Sequence, residues 1–463
     1  MKNLRTFLKK SEAKVFDLGH RKRINFNIGR YNEAVPKGKQ QFANFELARD
    51  RAAYIKRKVV SNLEKYLLEF EINFSKNGGE LLWAQDEKEA VQLILDICEK
   101  EKIKTIVKSK SMVTEEIHLN SYLEKNGIEP IETDLGEFIV QLADEPPYHI
   151  VTPAMHKSKE DVASLFHEKL GTPVDYTPQE LTLEARKILR DKFVNADAGI
   201  TGVNFLIADV GAISVTENEG NARMSTSLPR VHIAIAGLER LIPSINDLAL
   251  FLPLLATMGT GQNITTYNTL FFGPKNPGEI DGPEKMYLIL LNNGRTNLLA
   301  VEPQNVALTC IRCGACLNAC PVYKNIGGHT YGTVYNGPIG SLITPFMRGF
   351  ENFAHLSYAT SLCGSCSSVC PVKIDIAELL LKNKHYYTEH FRTAATERFI
   401  FKYVTKFLMN RNWMNRGNYR IKNKLIRIFL RKSWSKHKEP LQLTDKSFNV
   451  MWKDQQKRKK KTT

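Results

Sequence analysis

Cysteine is scarce over most of this 463-residue chain. Seven of its eight cysteines fall between residues 310 and 370, and Cys98 is the other. A dispersed disulfide framework is therefore excluded. Cys98, set in V-Q-L-I-L-D-I-C-E, reads as a small core residue. Long apolar runs are missing too. The longest, L-A-L-F-L-P-L-L-A-T-M at residues 248–258, falls short of the roughly 18–20 residues that cross a bilayer and contains Pro253. The opening M-K-N-L-R-T-F-L-K-K-S-E has neither an apolar core nor a small-residue cleavage site, so no signal peptide is expected. The expected compartment is the cytoplasm, where thiols stay reduced. No P-loop occurs, and no G-x-G-x-x-G follows a strand, so no nucleotide or nicotinamide site is expected.

Acidic residues are lacking at one end. Residues 381–463 hold 23 Lys and Arg against 5 Asp and Glu, a net of +18, while the other 380 residues sum to −2. Within that segment, residues 391–409 place Phe391, Ala394, Ala395, Phe399, Tyr403 and Phe407 near one helical face, with Arg392, Lys402 and Lys406 elsewhere. N-Y-R-I-K-N-K-L-I-R-I-F-L-R-K-S-W from Asn418 repeats the theme. Such helices dock on a partner subunit or lie on an anionic membrane surface. No nucleic-acid role is expected, because the aromatics follow helical spacing. Q-K-R-K-K-K-T-T from Gln456 reads as a disordered basic tail.

What is present is concentrated in two cysteine runs. C-I-R-C-G-A-C-L-N-A-C-P supplies Cys310, Cys313, Cys316 and Cys320, and C-G-S-C-S-S-V-C-P supplies Cys363, Cys366 and Cys370. The spacing C-x2-C-x2-C-x3-C-P wraps a [4Fe–4S] cluster with three thiolates and sends the fourth to another cluster. Both runs end alike, so they cross-ligate. Cys310, Cys313, Cys316 and Cys370 are assigned to cluster 1, and Cys320, Cys363 and Cys366 to cluster 2. The position matching Cys310 in the second run is Thr360. A neutral hydroxyl is a poor iron ligand, so that corner is left to water, another side chain or a partner, and the iron there is expected to be labile. Zinc is the competing reading, but zinc sites favour closed C-x2-4-C pairs. Residues 321–362 read as a loop followed by a helix, which suggests a helical ferredoxin domain. His329, Tyr331 and Tyr335 in that loop are expected to pack over the clusters, or to hydrogen-bond a cluster sulfur.

Upstream, residues 1–77 read as a helical segment. One long helix is expected from Glu46, burying Leu47, Tyr54, Val59, Leu63 and Leu67, its arginines on a solvated face. Residues 78–300 alternate strands and helices, the pattern of an α/β domain. Strands are expected at Leu81, Thr105, Ile128, Glu137, Tyr148, Val203, Val231 and Met286, with Asp209-Val-Gly as a hairpin corner. Three loops stand out there: K-S-K-S from Lys108, T-E-N-E-G-N from Thr216 and M-G-T-G-Q-N from Met258. The loops at Lys108 and Met258 each read as a turn, or as a place where an anion could sit, and the loop at Thr216 as a turn, or as a site-bearing loop just past a strand. The cluster domain spans residues 301–385, and the basic helical segment residues 386–463.

The cysteine runs, the segment G-G-H-T-Y-G-T-V-Y-N-G-P-I-G-S-L-I-T-P from Gly327, and G-I-T-G-V-N-F-L-I-A-D-V-G-A-I-S-V-T-E-N-E-G-N-A-R from Gly199 resemble the lactate utilization protein B family, over most of residues 40–400. That family's pattern also has seven cysteines. The resemblance implies an N-terminal domain of the sugar-isomerase/CoA-transferase fold, two [4Fe–4S] clusters, and action with two partner proteins in oxidising L-lactate to pyruvate, as the electron carrier. Another 2-hydroxy acid is an alternative substrate. A different class of reading makes the α/β domain an acyl/CoA enzyme, with Glu217 attacking a thioester as in CoA-transferase relatives. A third is a redox-sensing or membrane-docking scaffold. With no general base in evidence, relay without catalysis is the expectation.

Overall fold

The computed structural model describes residues 2–391, 395–415, 417–430, 439 and 441–462. The chain divides at His390 into two compact units. The first is built on a six-stranded parallel sheet in the order β1-β10-β7-β4-β2-β3. Its strands are β1 (Glu80–Ala84), β2 (Thr105–Lys108), β3 (Glu129–Glu132), β4 (Ala198–Gly202), β7 (Val231–Gly237) and β10 (Lys285–Leu291). A smaller sheet holds β5 (Phe205–Ile207), β6 (Ala212–Glu217), β8 (Leu241–Ile242) and β9 (Tyr267–Phe271), in the order β8-β5-β6-β9. The β5–β6 pair is the hairpin read at Asp209-Val-Gly, with Gly211 at φ +60° in its turn.

A parallel sheet covered on both faces needs apolar residues at every position. Along β10, Tyr287, Ile289 and Leu291 enter one core and Met286, Leu288 and Leu290 the other. β7 divides in the same way, Val231, Ile233 and Ile235 against Ala234 and Ala236. That is the strand period of two with both faces buried. Cys98 is in the first core, and burial pushes its thiol up to about 12.

The expected strand at Glu137 is instead the helix Leu135–Leu142. Asp134 caps it by accepting the Gly136 N–H at 3.0 Å, and a capped start outweighs the β-rich composition of F-I-V. Tyr148–Ile150 is buried but irregular, not a strand. The single helix expected from Glu46 is two, Phe45–Ser61 and Leu63–Lys76, broken at Asn62. Its buried face matches the expected one in part: Val59 and Leu67 are in the core and Leu63 packs against it, but the N-terminal half is turned. Leu47 and Tyr54 are 64% and 59% exposed, while Ala52, Ala53, Ile55, Lys56 and Val59 are inside.

Two further helices, Lys2–Phe16 and Leu18–Lys39, pack against the region that carries the cysteines. That region is helical: Ala315–Ala319, Pro321–Ile326, Gly337–Arg348, Phe350–Phe353, Ser365–Ser368 and Ile376–His390.

The second unit contains helices Ala395–Met409, Arg411–Asn415, Tyr419–Leu430 and Phe448–Thr462. The last replaces the disordered tail expected from Gln456. Phe399, Tyr403 and Phe407 are exposed. Arg392, Ala394 and residues 431–434 lie outside the described residues. No helix among the described residues is long and apolar enough to cross a membrane.

Candidate metal centres

The two cysteine loops share one backbone path. In the first, Arg312 (φ 61°) and Gly314 (φ 82°) flank Cys313; in the second, Leu362 (φ 53°) and Gly364 (φ 79°) flank Cys363. Left-handed residues on both sides of a cysteine fold the chain around a centre and turn its N–H groups inward. The Arg312 N–H donates to Cys310 Sγ at 3.4 Å, and the Leu362 N–H donates to Thr360 Oγ1 at 3.0 Å. Thr360 therefore takes the place of Cys310 in conformation as well as in spacing. A short helix follows each loop, Ala315–Ala319 and Ser365–Ser368, and each leads to the last cysteine of its run.

The seven thiols fall into two sets. Cys310, Cys313, Cys316 and Cys370 line one small pocket whose other walls include Ile150, Leu317, Ile339 and Val372. Burial first, and the neighbouring thiols of the same set second, push Cys313, Cys316 and Cys370 up, the last to about 11. Cys320, Cys363 and Cys366 form the other set. Burial, then Cys320, raises Cys366 to about 11, and Cys363 likewise acts on Cys320. Cys363 is exposed, and hydrogen bonding with Ser365 brings it down to about 7. Thiols held protonated by burial bind a cation by releasing their protons.

Thiolate donors grouped this way suit iron–sulfur clusters. The buried Tyr331 hydroxyl adds to the fit: it makes no hydrogen bond to a described residue, and Cys320 and Cys316 are its electrostatic neighbours. The Tyr323 N–H donates to Cys320 Sγ at 3.4 Å, as the first loop's N–H does to Cys310.

A buried ionic network, which the sequence reading missed, holds the first loop. The Arg312 Nη2 donates to Glu239 Oε1 at 3.1 Å, and its guanidinium lies 4.5 Å from the Tyr335 ring. The Arg295 Nε donates to Glu239 Oε2 at 2.6 Å, and its Nη1 and Nη2 donate to Glu116 at 3.0 and 2.9 Å. Tyr335 donates its hydroxyl to Glu116 at 2.6 Å, so it braces this network. Lys56 donates to the Glu239 and Leu241 carbonyls at 2.6 and 2.9 Å. The only sequence signal was Glu239-Arg240 inside the apolar run of β7 and β8. Arg49, expected on a solvated face, is buried, and it donates to the carbonyls of Ser368 and Cys370 at 2.8 Å each. It thereby satisfies the end of the helix Ser365–Ser368. His329 bonds the Pro146 carbonyl at 2.7 Å.

Glu217 is engaged elsewhere. Its Oε2 accepts the Ala222 N–H at 2.6 Å and its Oε1 the Arg223 N–H at 2.9 Å, capping the helix Asn221–Ser227. Both oxygens serve the backbone, which weighs against a nucleophilic role. The loops singled out at Lys108, Thr216 and Met258 converge on one cleft, which also touches Arg312 and Cys313.

The LUD domain family model matches residues 67–291, and the 4Fe-4S dicluster domain model matches residues 306–374. Lactate utilization protein B of Bacillus licheniformis is 47% identical over 351 residues, covering 76% of this chain and 73% of that protein. Lactate utilization protein B of Shouchella clausii is 44% identical over 392 residues, covering 84% and 82%. A protein of Escherichia coli named "Uncharacterized electron transport protein YkgF" is 44% identical over 357 residues, covering 77% and 75%. With an α/β LUD domain on a parallel sheet, a 4Fe-4S dicluster domain after it, and this identity over most of its length, the chain belongs to the lactate utilization protein B family.

Proposed function

We propose that this chain is the iron–sulfur electron carrier of a multi-protein system that oxidises L-lactate to pyruvate, allowing lactate to serve as a carbon source. The observation that carries the reading is the division of seven thiols into a set of four and a set of three. In this reading Cys310, Cys313, Cys316 and Cys370 hold one [4Fe–4S] cluster. Cys320, Cys363 and Cys366 hold a second, with its open corner at Thr360. Clusters of this kind supply one-electron transfer at a potential set by charge, hydrogen bonds and exposure. The chain's own residues fix that setting: Arg312 and Glu239 hold the first loop, and backbone N–H groups of Arg312 and Tyr323 donate to sulfur.

Oxidation of one lactate releases two electrons and two protons. The chemistry at the lactate carbon belongs to two partner proteins in the cytoplasm, and this chain relays the electrons. The relatives' names support both halves, lactate utilization in one case and electron transport in the other. The α/β domain, residues 78–300 with a sugar-isomerase/CoA-transferase likeness, would be the platform for the cluster domain at 301–385. Residues 386–463 would dock, their charge and exposed aromatics suiting an acidic partner surface before an anionic membrane. Anaerobically purified full-length protein is expected to carry about eight iron and eight sulfide per chain, with EPR signals from two reduced clusters. Zinc without acid-labile sulfide, or iron for one cluster alone, would overturn the assignment.

A further inference from the structure

The electron-carrier reading leaves one built feature unused. The cleft where the three loops meet has a volume of about 430 Å³, in the range of small-molecule sites. It opens beyond the carboxyl ends of β2, β3, β4 and β7, where parallel α/β sheets bind ligands. Its wall on the cysteine side is Arg312 and Cys313.

The polar groups around it are unequal. Arg240 is 7% exposed, lines the cleft, and has no hydrogen bond or ion pair to a described residue; its Nε is wholly buried. Arg312 is 9% exposed: its Nη2 is held by Glu239, and its wholly buried Nε and Nη1, without a partner among the described residues, lie out of reach of the cleft, with Cys310 the guanidinium's foremost electrostatic partner. Buried guanidinium N–H groups demand acceptors, and a planar carboxylate meets their fork in two parallel bonds. Toward the rim stand Asn218, Glu219 and Gln262. Asn218 and Gln262 pair amide to amide at 3.1 Å, and Thr266 donates its N–H to Asn218 at 3.0 Å. Glu219 accepts the Leu135 N–H with one oxygen at 3.1 Å. The Asn218 and Gln262 amide oxygens are already occupied, so the second oxygen of Glu219 is the acceptor that favours a hydroxyl here, and the carboxylates Asp134, Glu217 and Glu219, against Lys110, disfavour a second negative charge.

We propose that this cleft binds a small hydroxycarboxylate, its carboxylate on Arg240 next to the wall that Arg312 and Cys313 form, and its hydroxyl toward Asn218, Glu219 and Gln262. The proposal deepens the function given above and rests on it for the choice of L-lactate as probe. Anaerobic calorimetry on the full-length, cluster-loaded chain compares L-lactate, propionate and inorganic phosphate. L-Lactate is expected to bind saturably, and propionate, lacking the hydroxyl, at least several-fold more weakly. Phosphate is expected to be the weakest. Arg240→Met should weaken lactate at least tenfold. Asn218→Ala, at the exposed rim, should weaken it several-fold and keeps the test open if Arg240→Met does not fold. Absent lactate binding, equal binding of propionate, tighter binding of phosphate, or unchanged affinity in both variants would overturn the site. Iron and sulfide counts read the electron-carrier proposal separately, so either can fail alone.

Discussion

Residues 310–316 and 360–366 trace the same path in two environments. In the first loop every residue from 311 to 316 is buried, and an ion network from three other segments grips it. In the second, residues 361–363 are exposed, Cys363 included. The backbone geometry is common to both, down to the left-handed pair around the middle cysteine. The number of thiols is therefore not dictated by the loop. One heteroatom, the hydroxyl of Thr360 in place of the thiol of Cys310, makes the difference. In the proposed relay the buried centre beside the cleft would be the guarded one. The exposed centre would be the one that meets a partner.

The strongest break of this comparison is Cys313→Ser. The variant removes a thiol from the middle of the four-member set, and serine is a poor iron ligand. Iron and acid-labile sulfide should fall from about eight to about four per chain, with the second cluster's EPR signal retained. Loss of all eight would mean that the two sets are not independent.

Glu239→Gln comes next, and it separates the loops by their supports. Burial alone would raise the Glu239 carboxyl. Arg295 and then Arg312 outweigh it and hold the group well below the usual carboxylate range. A depressed folded value means that the stabilisation is present above the unfolded carboxylate range, and is lost only as pH falls through the folded one. At neutral pH the pairing is fully in force. Removing the charge leaves two buried guanidinia under-compensated, a cost on the order of 3–5 kcal/mol. The denaturation midpoint should drop accordingly. Cluster loss on mild warming should begin in the four-member set, followed by its EPR signal. Loss beginning in the three-member set would remove the network from the account.

What was legible in the sequence follows from range. The two cysteine runs and the Thr360 position depend on spacings of two and three residues, so they could be read directly, whereas the exchange of Cys320 and Cys370 between the runs rested on their shared Cys-Pro endings. Five of the six strands of the parallel sheet were visible because buried strands are continuous apolar runs, as in β7 and β10; the central β4, which contains Gly199 and Gly202, was not. The network around Glu239 was not visible. Glu116, Glu239, Arg295 and Arg312 lie on four separate segments, and no local pattern announces that they meet. The burial of Arg49 was hidden for the same reason: besides Glu46, three residues back, its partners are carbonyls more than three hundred residues away. The short strands β8 and β9 carried too little pattern, and the cleft needed three loops that only the fold brings together. Leu135–Leu142 was lost to a weak β composition that its Asp134 cap overrides.

The smallest expected effect is also the sharpest test of the open corner. Thr360→Ala removes one hydrogen bond, from the Leu362 N–H to Thr360 Oγ1, on a partly exposed loop. Such a bond contributes about 1 kcal/mol at most. Part of its work is to hold Leu362 at positive φ, so slight loosening of the loop is expected. If the hydroxyl is not a ligand, iron and sulfide per chain should stay unchanged. Thr360→Cys should act in the opposite sense. It places a thiol where the first loop has Cys310, with an N–H already aimed at it, so the second cluster should survive exposure to air several-fold longer. Loss of a cluster in Thr360→Ala would make the hydroxyl a ligand after all. Unchanged air sensitivity in Thr360→Cys would mean that exposure at Cys363, and not the missing thiol, limits the second site. The two substitutions together thus separate the two differences between the loops, the heteroatom and the solvent.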